Sequence, residues 1–302
     1  MSASPESDGR GVGLLLAVMS AVGFSFKAVL VKLAYPYGVD AVTLLALRMG
    51  FALPFFLVLG FTDSRRRPAR WTSRDVGQLL ALGFFGYYLA SILDFAGLQH
   101  ISASLERIVL FSYPALVVLL SSIVLRKPIR ARILVALLLC TAGILLAMSH
   151  DLRTFGEANE VTRGVLLVLG ASLSYAIYLM GNGEIVVRLG SARVTSTATS
   201  VAAVCCLVQF GVTHPLSALA LPWQVYALSL AMALFCTVLP AWWVSEAIRR
   251  LGASHVSMIG TLGPVITIGL GWAILGDPLG VTQIGGAALV VAGVVTVARD
   301  RR

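Results

Sequence analysis

The sequence contains few charged residues, because only 12% of its 302 residues are Asp, Glu, Lys or Arg, whereas 58% are hydrophobic. With a mean hydropathy of +0.90, the chain is too apolar for a soluble domain of this length. It also lacks a polar stretch long enough to form a separate catalytic domain, since apolar segments of about twenty residues recur from end to end. The sequence therefore predicts an integral membrane protein.

Motifs of several enzyme classes are missing as well. No Walker A lysine motif occurs, which argues against ATP hydrolysis by that route, and no G-x-S-x-G serine elbow occurs. The four histidines show no metal-ligand spacing, and the four cysteines lie inside apolar spans, where they form no disulfide framework. We therefore expect no enzyme, no catalytic residue, no metal site and no cofactor.

The basic residues have a pattern of their own. In a soluble protein a net charge of +9 would indicate nucleic-acid binding. Here the basic residues concentrate in alternate short loops, at 65–67, 126–130 and 299–302 among others, as the positive-inside rule predicts. We expect no nucleic-acid partner, and we predict a bacterial inner (plasma) membrane protein with both termini in the cytoplasm.

Ten apolar spans divide the chain. Residues 1–10 and 299–302 are predicted to be cytoplasmic tails, and the polar segment 150–163 is predicted to be a linker on the outer side. The predicted helices are 11–34, 40–60, 75–97, 102–125, 132–149, 164–187, 195–212, 224–248, 253–275 and 281–298.

The two halves of the chain repeat each other at an offset near 150 residues. Residues 13–25 (GLLLAVMSAVGFS) align with residues 164–176 (GVLLVLGASLSYA), and Pro114 and Pro128 align with Pro264 and Pro278. Because five spans is an odd number, the second half must insert in the opposite orientation. The sequence therefore predicts an all-α fold of ten transmembrane helices in two inverted five-helix repeats, 11–149 and 164–298.

Small residues recur seven positions apart in the fifth and tenth spans, at Ala136 and Gly143 and at Gly286 and Gly293. Such residues let membrane helices approach closely. We favour packing of these two spans within one chain, and a homodimer through the same spans is the alternative.

Pro114 and Pro264 interrupt the fourth and ninth spans near mid-bilayer depth. A proline inside a helix leaves the carbonyl four residues earlier without its N–H partner, here the carbonyls of Leu110 and Gly260. Paired interruptions in corresponding halves point to the binding site of a transporter, so we expect both carbonyls to face a watery cavity. The alternative is a packing kink that neighbouring side chains satisfy.

Several charged residues are embedded in the spans. Arg48 and Lys27 lie deepest, roughly 12 Å from the nearer surface at about 1.5 Å of rise per residue, and such charges normally face a partner or a water-filled cavity. Asp94, Glu106 and Arg107 occupy a shallower outer layer. Glu106 and Arg107 are consecutive in the sequence, and we expect one of them to meet Lys27 and the other to meet Asp94. We assign these three residues to gating or to proton coupling, and a static ion-pair network is the alternative.

Further candidates lie on the inner side and along the path between the two sides. Glu246 and His255 are assigned to an inner gate. Asp277 precedes a proline and has the form of a helix N-cap. The residues assigned to the cavity or the substrate are Lys27, Arg48, Tyr113, Pro114, Tyr175, Tyr178, Trp242 and Pro264.

The ten spans, the two repeats, the Ala-Ser…Pro pattern shared by 103–114 and 253–264, and the closing LGDPLG…GGAALVVAGV resemble the drug/metabolite transporter superfamily, EamA type. The likeness covers nearly the whole chain. It implies a central cavity walled by spans 1–4 and 6–9, with spans 5 and 10 behind them, that opens alternately to each side. Members of this family move amino acids, nucleotide sugars, phosphorylated metabolites, cofactors or drugs, many as exporters and some coupled to protons.

Three features depart from the family pattern: the segment 126–128 (RKP) where an L-G-E-like element is common, Val22 before Gly23 where tryptophan is common, and the charged pair 106–107 where small residues are common. The outer half of the first repeat has two positive charges in excess, which favours an anionic or zwitterionic substrate. We predict a secondary active exporter of an amino acid or organic anion. The alternatives are a proton-independent exchanger of nucleotide sugars or phosphorylated metabolites, a membrane-embedded enzyme, and a channel or receptor-like scaffold.

Overall fold

A computed structural model describes the protein over residues 5–66, 71–124, 126, 128, 131–155, 157–252, 256 and 259–298. Over these ranges the chain forms helices and no β-strand. Eight helices are long and apolar enough to cross a membrane, and two shorter apolar helices follow them, so the predicted all-α, multi-pass fold is confirmed. The helices are α1 Pro5–Ala34, α2 Ala41–Arg66, α3 Ser73–Leu98, α4 Ala103–Val124, α5 Ala131–Phe155, α6 Ala158–Leu189, α7 Ser191–Thr213, α8 Trp223–Leu251, α9 Gly263–Leu275 and α10 Val281–Ala298.

The segment 150–163, predicted as a linker, is largely helical. Helix α5 continues to Phe155 and helix α6 begins at Ala158. The fully buried carboxylate of Asp151 accepts hydrogen bonds from the backbone N–H of Ser102 at 2.8 Å and from its hydroxyl at 2.9 Å. A polar residue of this segment therefore caps the start of α4, because the first N–H groups of a helix have no partner within it.

The helices pair as an inverted repeat requires. Helix α1 packs along α8 as α6 packs along α3, and α1 contacts α9 as α6 contacts α4. The remaining close pairs, α2 with α7 and α5 with α10, each join one helix to its own counterpart. Exchanging the first five helices for the last five maps these principal pairs onto one another, as expected for two halves related by an approximate two-fold axis.

The repeat extends to a local irregularity of the backbone. Helix α3 contains a π-helical segment at Gly83–Leu89 and helix α8 contains one at Leu234–Val238. The hydroxyl of Ser174 on α6 donates at 2.7 Å to the carbonyl of Phe85, which lies in the π-helical segment of α3. At the aligned position of α1, a Cβ on Gly23 would lie 2.7 Å from the carbonyl oxygen of Phe235, so the glycine lets the second irregular turn pack directly on α1.

Helices α5 and α10 touch through their backbones. A Cβ on Gly143 would lie 2.6 Å from the carbonyl oxygen of Gly286, and a Cβ on Gly286 would lie 2.5 Å from that of Gly143. The small residues thus meet inside one chain, as expected, and this face is not available to a second subunit. A homodimer through other faces of the two helices stays a prediction.

Ion pairs close both ends of the α2–α7 pair. At one end Arg193, only 2% exposed, lies 3.1 Å from the carboxylate of Asp63. At the other end the Nε2 atom of His214 lies 3.4 Å from the carboxylate of Asp40. These two contacts join opposite ends of the same two helices, so both ends of the α2–α7 pair are held together.

We expect Gly143→Ala to destabilise the protein by about 1–3 kcal/mol, because the added methyl group must push two backbones apart. Gly77→Ala is the matched control, since a Cβ at this helical position meets no atom within 4 Å and alanine favours the helix. Thermal unfolding in detergent measures both variants. Equal unfolding temperatures for the two variants would contradict the described α5–α10 contact.

Candidate functional site

The interruption of α4 divides it into two helices, α4a (Ala103–Leu110) and α4b (Tyr113–Val124). Pro114 is the second residue of α4b, and Pro264 is the second residue of the helical segment Gly263–Leu270. A proline is tolerated in a first turn, where its missing N–H would have had no helical partner. The prolines therefore begin new helices, in agreement with the predicted interruption of the two spans, and do not kink continuous helices as the alternative required.

The carbonyl of Leu110 does not remain without a partner. It accepts a hydrogen bond from the hydroxyl of Ser172 on α6 at 3.2 Å, and the Ser172 and Ser112 hydroxyls lie 3.1 Å apart. The expectation that this carbonyl faces a cavity is therefore wrong, because a neighbouring helix satisfies it. For the carbonyl of Gly260 the expectation stays a prediction.

Three embedded charges meet where α1, α3 and α4a come together. The ammonium group of Lys27 forms an ion pair with Asp94 and lies 3.1 Å from the Oε1 atom of Glu106. The side chains of Lys27, Asp94 and Glu106 are 14%, 5% and 0% exposed. We call these three residues the charged triad. Since a buried charge is costly unless it is paired, the triad ties the three helices to one another.

The charged triad is not fully satisfied. Oδ1 of Asp94 and Oε2 of Glu106 are buried and accept no hydrogen bond, and the two carboxyl groups lie within hydrogen-bonding reach of each other. With both acids ionised, one ammonium faces two carboxylates in a medium of low dielectric constant. A proton shared by the two carboxyl groups would remove the excess charge.

Arg107 takes a different direction from Glu106. Its guanidinium lies against the backbone of Gly263, where a Cβ would be 2.8 Å from Nη2, and its Nε atom is buried without a hydrogen-bond partner. We expected one of Glu106 and Arg107 to pair with Asp94. Arg107 does not do so, because the carboxylate of Asp94 pairs with Lys27. Arg107 therefore faces the start of the helix in α9.

Four tyrosines form a continuous cluster between α3, α4b and α6. Tyr113 meets Tyr175 edge-on with ring centroids 5.0 Å apart, and Tyr175 stacks on Tyr178 at 5.6 Å. Tyr178 contacts Tyr87 at 5.2 Å, and their hydroxyl oxygens are 3.1 Å apart. Arg107 is an electrostatic neighbour of Tyr113 and Tyr175. The structure thus brings together three tyrosines assigned from the sequence and adds Tyr87, which had no sequence signal.

Arg48 is 8% exposed and lies between α2, α3 and α8. Its Nε atom donates to the hydroxyl of Thr237 at 3.0 Å, and its guanidinium carbon lies 5.3 Å from the ring centroid of Phe95. A hydroxyl and an aromatic face stabilise this cation without neutralising it.

Other assigned residues lie away from this region. Glu246 pairs with Arg249 at 2.7 Å and Arg250 at 2.8 Å on its own helix, and Trp242 is 59% exposed. His255 lies outside the described residues. The ammonium group of Lys32 donates to the carbonyls of Leu98 and Ile101, where α3 ends and the connection to α4 begins. A groove of about 440 Å³ lies beside α3 and α6 and contains none of the assigned residues; its lining includes Leu93, Asn159 and Arg163.

The repeat makes the two ends of the candidate site comparable. In the alignment of 13–25 with 164–176, continued by two residues, Lys27 of α1 corresponds to Tyr178 of α6. Lys27 holds two acids, whereas Tyr178 holds another tyrosine. Because the repeats are inverted, these equivalent positions lie towards opposite membrane surfaces. One end of the site is therefore charged and the other is aromatic.

Comparison with known proteins gives consistent matches over almost the whole chain. Residues 11–149 and, separately, residues 162–299 match the EamA-like transporter family. An uncharacterized transporter of Bacillus subtilis, YcbK, is 30% identical over 93% of this chain and 92% of its own length. Another from the same organism, YyaM, is 26% identical over 83% of this chain and 82% of its own length.

More distant matches have the same extent. A WAT1-related protein of Arabidopsis thaliana is 24% identical over 93% of this chain and 88% of its own length. A solved crystal structure superimposes with a TM-score of 0.61, covering 97% of this chain and 99% of that one at 16% identity. At that identity the likeness shows a shared fold alone.

We expect Lys27→Met to cost about 3–5 kcal/mol at neutral pH, because it leaves two buried acids without their ammonium partner. The loss should shrink in acid, where the carboxyl groups become neutral, and it should be partly reversed by adding Asp94→Asn and Glu106→Gln. Thermal unfolding of the purified protein across pH measures this. A Lys27→Met variant as stable as wild type at every pH would refute the charged triad.

Proposed function

The chain belongs to the EamA-like transporter family, as the resemblance predicted, and from this premise we propose that it is a secondary active transporter of a small anionic or zwitterionic metabolite, such as an amino acid or organic anion. The family and the transporters it matches support transport across a membrane and not catalysis. We further propose export by alternating access across a bacterial inner membrane, with both termini in the cytoplasm as the basic loops favour.

The surroundings of Arg107 carry this proposal. Its guanidinium lies at the first residue of the helix Gly263–Leu270, and a helix N-terminus is itself electropositive. Two positive groups thus converge, and Nε of Arg107 still lacks an acceptor. A carboxylate placed here would accept hydrogen bonds from the guanidinium and face the favourable end of the helix dipole.

The tyrosine cluster supports the same location for the substrate. Tyr113 and Tyr175 lie beside Arg107 and offer phenol groups and aromatic faces to the remainder of the molecule. Arg48 adds a second buried cation that no carboxylate neutralises within ion-pair distance over the described residues. Such a set of groups suits a small solute with one acidic group and a polar or apolar body.

The charged triad supports proton coupling. A proton shared by Asp94 and Glu106 leaves no excess charge in the buried triad, and its loss changes the electrostatic field around the adjacent Arg107. We propose that binding of the anionic solute and binding of this proton are linked, since a negative charge beside Arg107 favours the protonated form of the neighbouring carboxyl groups. A static ion-pair network, the alternative, predicts no such linkage.

Counterflow in reconstituted vesicles tests the substrate class. We expect saturable counterflow with amino acids or organic anions, and we expect Arg107→Gln to raise the half-saturating concentration at least about tenfold, since a charge-assisted hydrogen bond contributes about 1.5–3 kcal/mol. Arg153→Gln, which removes an exposed cation at the end of α5, is the control and should have no effect.

Three other results of this assay have defined meanings. Exchange restricted to nucleotide sugars or phosphorylated metabolites would support the exchanger alternative. Transport of cations alone would contradict the role given to Arg107, and product formation would indicate an enzyme.

Proton coupling is tested in the same vesicles by comparing exchange with net accumulation. We expect Glu106→Gln to keep counterflow but to lose accumulation driven by a pH gradient, because the glutamine cannot release a proton. Glu160→Gln provides a control at an exposed acid. Accumulation that survives in folded Glu106→Gln, with an unchanged pH dependence, would leave the triad a static network.

A further inference from the structure

The groove of about 440 Å³ beside α3 and α6 has no part in the proposed function. Its lining residues on α6 are three and four positions apart, so they lie on one face of that helix. They are Asn159, Thr162, Arg163, Leu166 and Leu167, and α3 adds Leu93. Leu166 is 62% exposed, so the groove opens to the surroundings of the protein.

The packing of α6 on α3 shows how deep each part of the groove lies. A Cβ on Gly164 would lie 2.9 Å from the Cβ atom of His100, two residues beyond the end of α3. A Cβ on Gly170 would lie 3.3 Å from Cδ1 of Leu93, which belongs to the apolar part of α3. Arg163 is therefore level with the end of the membrane-spanning segment of α3, and the leucines of the groove lie within that segment.

The groove is thus polar at one end and apolar at the other, over a helical rise of roughly 12 Å from residue 159 to residue 167. The amide of Asn159, the hydroxyl of Thr162 and the guanidinium of Arg163 can all donate hydrogen bonds. We call these three residues the polar end of the groove. The apolar end consists of the leucines, Leu93, Leu166 and Leu167.

The polar end has an uncompensated positive charge. The side chain of Arg163 is exposed, and no acid of the described part of the chain lies within ion-pair distance of it. Glu160, three residues earlier, pairs with His100 at 2.5 Å. Glu157 is six residues before Arg163, about 120° around the helix from it. An anion at the polar end would therefore meet a cation and two neutral donors.

We propose that this groove binds one phospholipid of net negative charge, with its phosphate at the polar end and one acyl chain along the apolar end. A phosphate ion would contact only the polar end, and a neutral lipid would leave the guanidinium without a counter-charge. A zwitterionic headgroup finds no free acid on this face for its ammonium group. The bound lipid contacts both α3 and α6 and so adds a connection between them, and the proposal does not rest on transport.

A lipid titration of the purified full-length protein in neutral detergent tests the polar end. We expect phosphatidylglycerol to raise the thermal unfolding midpoint in a saturable manner, because a ligand of the folded state stabilises it. Phosphatidylcholine with the same acyl chains should raise it less. Arg163→Gln should raise the half-saturating concentration of phosphatidylglycerol about fivefold, which corresponds to about 1 kcal/mol for one basic residue beside an anionic lipid.

Arg153→Gln is the matched control for this titration. It removes another exposed cation, in the last turn of α5, that does not line the groove, and it should leave the response to phosphatidylglycerol unchanged. Native mass spectrometry gives a second measurement, in which wild type and Arg153→Gln should retain one phosphatidylglycerol and Arg163→Gln should lose it.

Leu166→Ser tests the apolar end in the same titration. It should weaken the response to phosphatidylglycerol, since apolar contact with the acyl chain is lost. Leu138→Ser is its control, because Leu138 is a leucine of α5 that is 69% exposed and lies outside the groove. Inorganic phosphate, and glycerophosphoglycerol as the same headgroup without acyl chains, should produce no shift at the same concentrations.

Three results would overturn the lipid site. They are an equal response of wild type and Arg163→Gln to phosphatidylglycerol, an equal response of wild type to the two lipids, and a full response to inorganic phosphate alone. Since both substituted side chains are exposed, we expect lipid-free midpoints close to that of wild type, which establish that the variants are folded. No substrate enters these measurements, so their failure would leave the proposed transport function standing.

Discussion

A lysine ammonium buried among membrane helices is tolerated only while acids lie beside it, and this constraint shapes the first half of the protein. Lys27 on α1 holds Asp94 of α3 and Glu106 of α4a, so these three helices are fixed to one another. Because Lys27 takes both acids, Arg107 turns away to Gly263 of the second half. The ion pairs therefore also determine where an unpaired guanidinium becomes available to a substrate.

The two-fold relation of the backbone is accompanied by a consistent difference in side chains. Helix α6 supplies Ser172 and Ser174, whose hydroxyls satisfy carbonyls of α4a and α3. The aligned positions of α1 are Ala21 and Gly23, which bring no hydroxyl and let α8 pack closely. The π-helical segments of α3 and α8 therefore have the same shape, but a serine hydroxyl contacts the first and a glycine backbone contacts the second. The charged and aromatic ends of the site likewise lie at equivalent positions of the two halves.

The ten spans and the repeat could be predicted because each depends on composition over about twenty residues or on a fixed offset. The sequence also predicted that Glu106 or Arg107 meets Lys27, although the helical rise placed Lys27 in a deeper layer, and the structure shows that the partner is Glu106. What could not be predicted depends on helix rotation: Ser172 reaching Leu110, Asp151 reaching Ser102, and Asp277 turning away from α10. These contacts join residues whose spacing along the chain carries no period, and the π-helical segments likewise have no pattern in the sequence.

The central claim is that the charged triad exchanges a proton when an anionic solute reaches Arg107. The most direct measurement is the change in proton binding by the purified protein in weakly buffered detergent solution, on adding a solute that supports counterflow. The account predicts net proton uptake in wild type and none in Glu106→Gln, while both proteins still bind the solute. Equal uptake by the two proteins, or binding by wild type without uptake, would contradict it.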